Sequence, residues 1–473
     1  MERNDSFWLK WFLIFFVYSI FLGLAVQLVV VPILFPQWHA GNGLIKAHDW
    51  VTYHQLAVEM AAQMRENGIR AWAFSPDHWL EPSVAAFVYY LTFSSPLVLL
   101  PLNALIHATT GVILTHLFSQ FYDKKTALLG AFPFVFFPSS LLWVTQIHKD
   151  GFFFLGAALF IWGWVLIFEN QKQRFPAWGV FGLVWFGLEI SFIARSYLSL
   201  IYWILSIFFV LLYLSAFFRS TKNSYDWRGL AFCAVLAISL VPQKILFPSA
   251  YGVSSVVAEA PKKDATSKKS VAIETPAPPR LSYEWVSSPW LPSFVNTQLY
   301  NLAFARNGFL HTNLGNSNFD KEVAFKSSSD IVQYLPRAFQ VGFFGPFPNS
   351  WFKRASNEAN ETFKKLVGLE MSFVYLLFPY FLLACIRNRK RLSFLALVCF
   401  SITFIWIFAM SCPNFGTLHR FRYFYLTLVT GLGLAQFCDL TGLLRGLQSR
   451  SSRLFFFLGL HSVDKSDQRF IQT

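Results

Sequence analysis

The chain has 473 residues, of which 55% are hydrophobic, 19% are aromatic and only 14% are charged. Soluble domains carry roughly a quarter of charged residues, so this composition excludes a soluble globular protein and indicates a polytopic membrane protein. The 39 Lys and Arg residues exceed the 25 Asp and Glu residues, but they cluster between apolar segments as the positive-inside bias predicts. They set the orientation of the chain, and we predict no nucleic-acid site from them.

A membrane-spanning helix needs roughly 20 apolar residues, and on this basis we predict an all-α bundle of about ten spans. The first apolar segment is too long for a signal-peptide core and lacks a small-residue cleavage site, so we expect it to be retained as a span. The predicted spans are 11–35, one crossing within 83–121, 126–146, 152–168, 176–192, 197–218, 230–247, 367–386, 392–410 and 423–440.

Basic residues predict the orientation of these spans. A single crossing within 83–121, preceded by a segment on the membrane surface, keeps all six basic clusters on one side. They lie near Arg3 and Lys10 and at 123–125, 169–174, 219–228, 387–391 and 443–453. Because Lys and Arg favour cytoplasmic loops, we expect cytoplasmic N- and C-termini, most simply in a bacterial inner membrane. The first loop, the turn at 148–150 and a large polar region then face outward.

The predicted organisation has four parts. An N-terminal membrane module covers 1–247, an outer region covers 248–366, C-terminal helices cover 367–440 and a cytoplasmic tail covers 441–473. Within the outer region, the segment 261–279 has the composition of a disordered linker. The aromatic segment FFGPFPNSWF that follows is suited to lie at the membrane interface. The five cysteines show no paired spacing typical of disulfides or zinc sites, so we expect no redox or metal role for them.

Three ionisable residues, His148, Lys149 and Asp150, lie where two predicted spans meet. Charged groups at a bilayer boundary are costly and often functional, although an ordinary turn hydrated among lipid headgroups has the same composition. The predicted outward location favours a functional role.

The first outer loop contains an amphipathic segment in which Tyr53, Ala57, Met60 and Met64 recur at three- and four-residue spacing. This pattern predicts a helix that lies on the membrane surface. Asp49 stands at its start, where it is either a helix N-cap or a catalytic carboxylate.

Further ionisable residues occupy the outward ends of the predicted spans. They are Glu189, Arg195, Glu370, His419, Arg420 and Arg422. Outward arginines run against the positive-inside tendency, so each requires a local reason. Arg195 and Glu189 can pair, and arginines can extend toward lipid phosphates. The alternative is a shared anionic ligand, because Arg binds phosphate in a bidentate manner and Lys binds it as a point charge.

Three segments resemble the GT-C superfamily of membrane glycosyltransferases. HDWVTYHQLA is similar to the acidic residue followed by Tyr and Ala on a juxtamembrane helix of that family. ALLGAFPFVFFPSSLLWVTQIHKDGFF resembles its third span with an acidic second loop, and GTLHRFRYF resembles a basic outer motif of bacterial members. The resemblance is good over roughly the first 200 residues and thin beyond them. It implies a GT-C-like bundle with a juxtamembrane helix and a large outer loop.

The resemblance implies transfer of a sugar, in a hexosyltransferase-type reaction, from a polyprenyl-phosphate-linked donor to a glycan, lipid or protein acceptor outside the cytoplasm. Asp49 matches the catalytic carboxylate and Asp150 the second-loop acidic residue. We expect His148, Lys149, Arg195, Glu370, His419, Arg420 and Arg422 to bind the substrate or its phosphate. Some members have paired acidic residues where this chain has one, so the requirement for a divalent metal stays open.

Three alternatives are weighed against this activity. A polysaccharide polymerase or ligase that uses a lipid-pyrophosphate glycan also needs outward arginines. A transporter or lipid flippase is the alternative from another class, but transporters often show repeated halves and charge near the midplane. A non-catalytic assembly subunit would tolerate loss of Asp49.

Overall fold

The computed structural model describes residues 2–46, 49–72, 76–169, 177–219, 284–312, 317–354 and 358–442. The predicted span at 230–247, the linker at 261–279 and almost all of the tail at 441–473 lie outside these residues. Within them the chain forms helices joined by loops and three isolated β-bridges. The all-α class is therefore confirmed for the described residues.

The α-helices follow one another with short connections. They are α1 (Glu2–Ala25), α2 (Asp49–Asn67), α3 (Pro76–Leu91), α4 (Leu100–Phe118), α5 (Lys124–Phe136), α6 (Leu141–Thr145), α7 (Asp150–Phe168), α8 (Ala177–Ala194), α9 (Ser199–Arg219), α10 (Ser293–Thr312), α11 (Ser328–Phe344), α12 (Pro348–Trp351), α13 (Glu358–Asn388), α14 (Leu392–Ser411) and α15 (Phe415–Thr441). A π-helix, Val26–Leu34, continues α1.

Seven helices in the described residues are long and apolar enough to cross a membrane. They are Ser6–Leu34, Pro96–Phe118, Asp150–Phe168, Ser196–Ala216, Glu358–Asn388, Leu392–Ser411 and Phe415–Thr441. The chain is thus a multi-pass membrane protein by length and composition. The predicted count of ten is not reached in this part of the chain, where the apolar helix at Trp178–Ala194 is shorter than a span.

The segment predicted as one span at 126–146 is broken. α5 ends at Phe136, and the following helical segment, Pro138–Thr145, is bent by 56° relative to it. Pro138 explains the break, because a residue before proline is driven out of the helical region, and Phe137 is extended with ψ 137°. If the bent pair crosses as one span, the number of candidate spans becomes eight.

The region 83–121 contains one candidate span, as predicted. α3 precedes it, and the candidate span begins at Pro96 with the Ser95 side chain accepting a hydrogen bond from the Leu97 N–H. Ser is favoured just before a helix because its side chain accepts hydrogen bonds from N–H groups that lack an intrahelical partner. Pro is favoured at the first helical position because the N–H that it lacks would have no partner there.

α2 was predicted to lie on the membrane surface, but it packs against α3. Its buried face includes Trp50, Ala57, Ala61 and Met64. The small alanine side chains let the two helices approach closely, so the apolar face is covered by protein rather than by lipid. The segment FFGPFPNSWF lies partly inside the protein: Phe343 is buried and the Trp351 indole donates to the Pro346 carbonyl, whereas Phe352 is 75% exposed.

The helix ends separate into two groups. At one end of the bundle lie the starts of α7 and α15 and the end of α8, which meet through their side chains. At the other end, Glu169 lies 3.7 Å from Arg391, and Arg387 pairs with Asp439. Since α7 runs from Asp150 to Phe168, about 28 Å of helix separates these two groups. Asp150, Arg195 and Arg420 therefore meet at the same end of the bundle.

Candidate active site at one end of the bundle

Asp150 is the centre of a buried ion cluster. It is the first residue of α7 and has no solvent exposure. Its carboxylate accepts a hydrogen bond from the Arg195 guanidinium, and its second oxygen lies 3.3 Å from Nε of Arg420. One carboxylate between two guanidinium groups leaves a net positive charge. A buried carboxylate is tolerated here because cations compensate its lost hydration.

Arg195 is a buried member of this cluster and does not lie on an open surface. It is 2% exposed, donates to the Tyr197 hydroxyl and stacks on the Phe421 ring with 3.8 Å between the guanidinium carbon and the ring centroid. Both of its terminal nitrogens therefore have partners inside the protein. We correct the predicted phosphate-binding role of Arg195 to one of holding Asp150.

Arg420 is the cation of this cluster that faces a cavity. Its side chain is 27% exposed and lines the main cavity, which lies between α2, the segment after α5, α13 and α15, while Nε points back to Asp150. Among the described residues, no side chain or carbonyl accepts a hydrogen bond from its terminal nitrogens. Those nitrogens form the planar fork that binds carboxylate and phosphate.

Lys149 pairs with a carboxylate that the sequence reasoning missed. Its Nζ lies 3.6 Å from Oε1 of Glu81 on α3. Burial raises the pKa of Glu81, and the Lys149 charge opposes this rise. Lys149 therefore pairs with an acid on α3 and not with its neighbour Asp150. An isolated acid in the apolar stretch after Leu80 was the available signal for Glu81.

His148 is buried and neutral. Its Nδ1 accepts a hydrogen bond from the Asp150 backbone N–H at 3.2 Å, and burial lowers the pKa of His148 to about 3. An unprotonated Nδ1 cannot donate to the Asp150 carboxylate 3.3 Å away. His148 thus supports the start of α7, and it is absent from the wall of the main cavity. This corrects its predicted role in substrate binding.

A second buried network joins Ser139, Glu370 and His419. Glu370, on α13, accepts hydrogen bonds from the Ser139 N–H, from the Ser139 hydroxyl at 2.8 Å and from His419 Nε2 at 3.0 Å. All three residues are less than 7% exposed. The network fastens the broken segment after α5 to α13 and α15. Sequence reasoning selected Glu370 for substrate binding, but its oxygens are occupied by protein donors.

This network is not a nucleophilic triad. Ser139 Oγ lies 2.9 Å from Nε2 of His419, the same nitrogen that contacts Glu370. In a serine hydrolase, the hydroxyl and the carboxylate bond to opposite nitrogens of the imidazole. The arrangement therefore positions the cavity wall, and Ser139 and His419 both line that wall.

Arg422 supports the fold and does not reach the cavity. It has no solvent exposure, and its guanidinium donates to the carbonyls of Val341, Gly342 and Gly345 at the end of α11. A cation at a helix C-terminus satisfies carbonyls that lack intrahelical partners. The predicted phosphate-binding role of Arg422 is corrected accordingly.

The main cavity has a volume of about 930 Å³ and lies between α2, the segment after α5, α13 and α15. Its wall includes the exposed Asp49 at the start of α2 together with His419 and Arg420. Of the nine residues predicted for the site, these three share the cavity. Asp150 is the carboxylate behind Arg420, so its predicted catalytic role becomes a positioning role. This volume is at the upper end of the roughly 300–1,000 Å³ typical of ligand sites.

Four further basic residues on the cavity wall were not selected from the sequence. They are Arg337, Lys353, Arg354 and Lys364. Nothing in their local sequence separates them from ordinary surface cations, because only the folding of α11, α12 and α13 brings them together.

The pKa of Tyr53, on α2, is shifted by burial and by nearby charges. Burial raises this pKa, the charges of Glu81, Asp49 and Asp150 raise it further, and the charge of Arg420 opposes the rise.

The sequence also left open whether the protein requires a divalent metal. In the ranges that the structure describes, no group of three or more His, Cys, Asp or Glu side chains is arranged to hold a metal ion. We assign no metal ligands.

Comparisons with known proteins found no matching family model, no matching curated protein and no matching solved structure.

Proposed function

We propose that this protein is a membrane glycosyltransferase of the GT-C type, which transfers a sugar from a polyprenyl-phosphate-linked donor to an acceptor on the extracytoplasmic face. The observation that carries the proposal is the shared cavity: an exposed carboxylate, Asp49, and a partly exposed guanidinium, Arg420, lie on its wall at one end of the bundle. A carboxylate and a phosphate-binding cation facing one space are the two groups that this reaction requires.

In the proposed reaction, Asp49 removes the proton from an acceptor hydroxyl as its oxygen attacks the anomeric carbon. The bond from that carbon to the lipid phosphate breaks, and its electron pair remains on the phosphate oxygen. Arg420 stabilises the charge that the phosphate gains, an electrostatic effect that is large in a site shielded from water. A single displacement of this kind inverts the anomeric configuration.

Asp150 supports this chemistry without contacting the substrate. Its oxygen beside Nε of Arg420 fixes the direction of the guanidinium, and Arg195 holds Asp150 from the other side. Preorganised cations are effective because they need not reorient during the reaction. Lys149, 21% exposed and paired with Glu81, adds positive charge near the turn.

A polysaccharide polymerase or ligase that uses a lipid-pyrophosphate glycan is the second candidate. The size of the cavity and its additional basic residues favour it, because a glycan chain and two phosphates need more room and more charge than a monosaccharide phosphate. Transport is less well supported, since the charged residues of the candidate site lie at one end of the helices instead of near their middle.

The proposed orientation puts the cavity outside the cytoplasm, in a bacterial inner membrane, with both termini cytoplasmic. It rests on the positive-inside bias. The end of the bundle opposite the cavity carries Arg387 and Arg391, in agreement with this orientation.

The test compares Asp49→Asn with Glu66→Gln, a change at an exposed acid near the other end of α2. Both variants are inserted into membrane vesicles, and transfer of radiolabelled glucose or mannose from the polyprenyl-phosphate sugar to the glycan and glycolipid fractions is measured. Loss of a general base lowers the rate by about 10²–10⁴, so Asp49→Asn should show this loss and Glu66→Gln should not. Normal transfer by a well-inserted Asp49→Asn protein, or no transfer by the wild type with either donor, contradicts the proposal.

A further inference from the structure

A basic wall lies on the side of the cavity formed by α11, α12 and the start of α13. We use this name for Arg337, Lys353, Arg354 and Lys364. Asp49 is the one carboxylate among the described residues that line the cavity. With Arg420 included, five cations therefore face one acid.

Three members of the basic wall have no carboxylate partner among the described residues. Arg337 is neutralised by Asp320, which accepts two hydrogen bonds from its guanidinium at 2.9 Å. In the described part of the chain, no Asp or Glu lies within ion-pair distance of Lys353, Arg354 or Lys364. The contact that Lys364 makes here is a 3.3 Å hydrogen bond to the Arg354 carbonyl. This leaves about three unneutralised charges on one surface, which repel one another until an anion binds.

Aromatic rings line the cavity together with these cations. They are Phe347, Trp351, Phe363 and Phe415. The Trp351 indole is fixed by its hydrogen bond to Pro346 and by a stacked contact with Tyr375 at 6.0 Å between ring centroids. Fixed rings present flat apolar faces, and the apolar C–H faces of sugar rings pack on such surfaces. Cations between rings add recognition of negative substituents.

The donor phosphate does not account for this charge. Arg420 already supplies a guanidinium that is oriented by Asp150, and it stands on α15, whereas the basic wall stands on α11, α12 and α13. A second anion therefore fits the cavity at the basic wall. Resting on the proposed transferase function, we infer that the acceptor is an acidic oligosaccharide, which carries carboxylate or phosphate groups and binds to the basic wall.

Another source of negative charge is the bilayer. Lys353 and Arg354 are exposed and Phe352 beside them is 75% exposed, so anionic lipid headgroups are a physical competitor for the same cations. Neutral glycans, by contrast, would gain nothing from the basic wall. The experiment must separate an acidic glycan from both.

The test measures binding, with no transfer step. The full chain is placed in nanodiscs of neutral phosphatidylcholine, and isothermal titration calorimetry is run with hexagalacturonate, with a phosphorylated pentamannose and with neutral maltohexaose. We expect at least one acidic probe to bind, binding to weaken as salt is raised, and maltohexaose to bind at least about tenfold more weakly. Absence of binding by both acidic probes, or equal binding of maltohexaose, overturns the inference.

Matched variants locate the site. Lys353→Gln with Arg354→Gln should weaken acidic-probe binding by about five- to thirtyfold, the effect of losing two exposed charge contacts. Arg389→Gln with Lys390→Gln removes two exposed cations at the opposite end of the bundle and should change nothing. Equal effects of the two pairs overturn the inference.

Nanodiscs with added phosphatidylglycerol supply the third arm. The inference fails if phosphatidylglycerol abolishes acidic-probe binding at constant ionic strength and loses this effect when Lys353 and Arg354 are replaced. The two cations would then bind lipid headgroups. If acidic probes bind but no sugar transfer is measured, the proposed reaction alone is contradicted. If transfer is measured but no acidic probe binds, this inference alone is contradicted.

Discussion

At the scale of single residues, this protein separates cations that face the cavity from cations that support them. Arg195 and Arg422 are buried and use their donors on Asp150 and on backbone carbonyls. Arg420 keeps its terminal nitrogens available to a ligand. The same residue type therefore serves different roles at the same end of the bundle, and burial with hydrogen-bond partners decides which.

Asp150→Asn should destabilise the protein strongly. The change removes the negative charge but keeps the shape, so Arg195, whose side chain is 1% exposed, is left as an uncompensated buried cation. Breaking one partner of a buried pair costs about 3–5 kcal/mol. Thermal unfolding in detergent, monitored by intrinsic tryptophan fluorescence, measures the loss. Arg387→Gln breaks a pair whose side chains are 57% and 24% exposed, and this control should cost less than about 1 kcal/mol. Similar unfolding temperatures for the two variants would contradict the role given to Asp150.

At the scale of elements, α15 is the helix that assembles the site. It carries His419 and Arg420 at its start and is buried along most of its length, with Gly431 in contact with α5. A glycine there has a packing reason: a Cβ atom on Gly431 would lie only 2.2 Å from the Gly130 carbonyl oxygen. Close approach of the two backbones holds the segment after α5, and hence Ser139, against α13 and α15.

Gly431→Ala should therefore separate α15 from α5. Overpacking of this kind costs about 1–3 kcal/mol, and we expect lower thermal stability together with weaker transfer, since the cavity wall is built on both elements. Gly182→Ala on α8 is the matched control, because nothing lies within 4 Å of a Cβ atom at that position. Alanine is the better helix former by roughly 0.5–1 kcal/mol, so the control should be neutral or slightly stabilised. An equally stable Gly431→Ala protein would show that this contact does not hold the helices.

At the scale of the whole molecule, the two ends of the bundle differ in charge arrangement. The cavity end combines a buried acid, open cations and one exposed carboxylate, whereas the other end carries exposed ion pairs such as Arg387 with Asp439. Gathering polar groups at the ends leaves the middle of the helices apolar, as a bilayer requires.

The proposed orientation can be measured by cysteine labelling. After replacement of the five native cysteines, Arg354→Cys places a thiol on the cavity wall and Arg389→Cys places one at the opposite end; both positions are exposed. In intact cells, a membrane-impermeant maleimide should label Arg354→Cys, while Arg389→Cys should react only after permeabilisation. The reverse pattern would contradict an extracytoplasmic cavity.

What the sequence determined by itself is the class of the protein and the position of most of its apolar helices. Hydropathy is a local property, so a window of about 20 residues contains the information that a span requires. The same reasoning placed both ends of α14 within one residue but began α13 and α15 eight or nine residues too late. It also selected Asp49, His419 and Arg420. It placed one unbroken span at 126–146 because Pro138 acts on the backbone without changing the mean hydropathy.

Only the tertiary structure decided which side chains meet. Lys149 pairs with Glu81 rather than with Asp150, and Glu370 binds Ser139, which is 231 residues away in the chain. Neither pairing follows a local period or a motif. The basic wall also arises from separate elements, and each of its cations looks ordinary in the sequence. Side-chain contacts depend on how helices pack over long sequence separations, and this is why the charges were visible in the sequence while their partners were not.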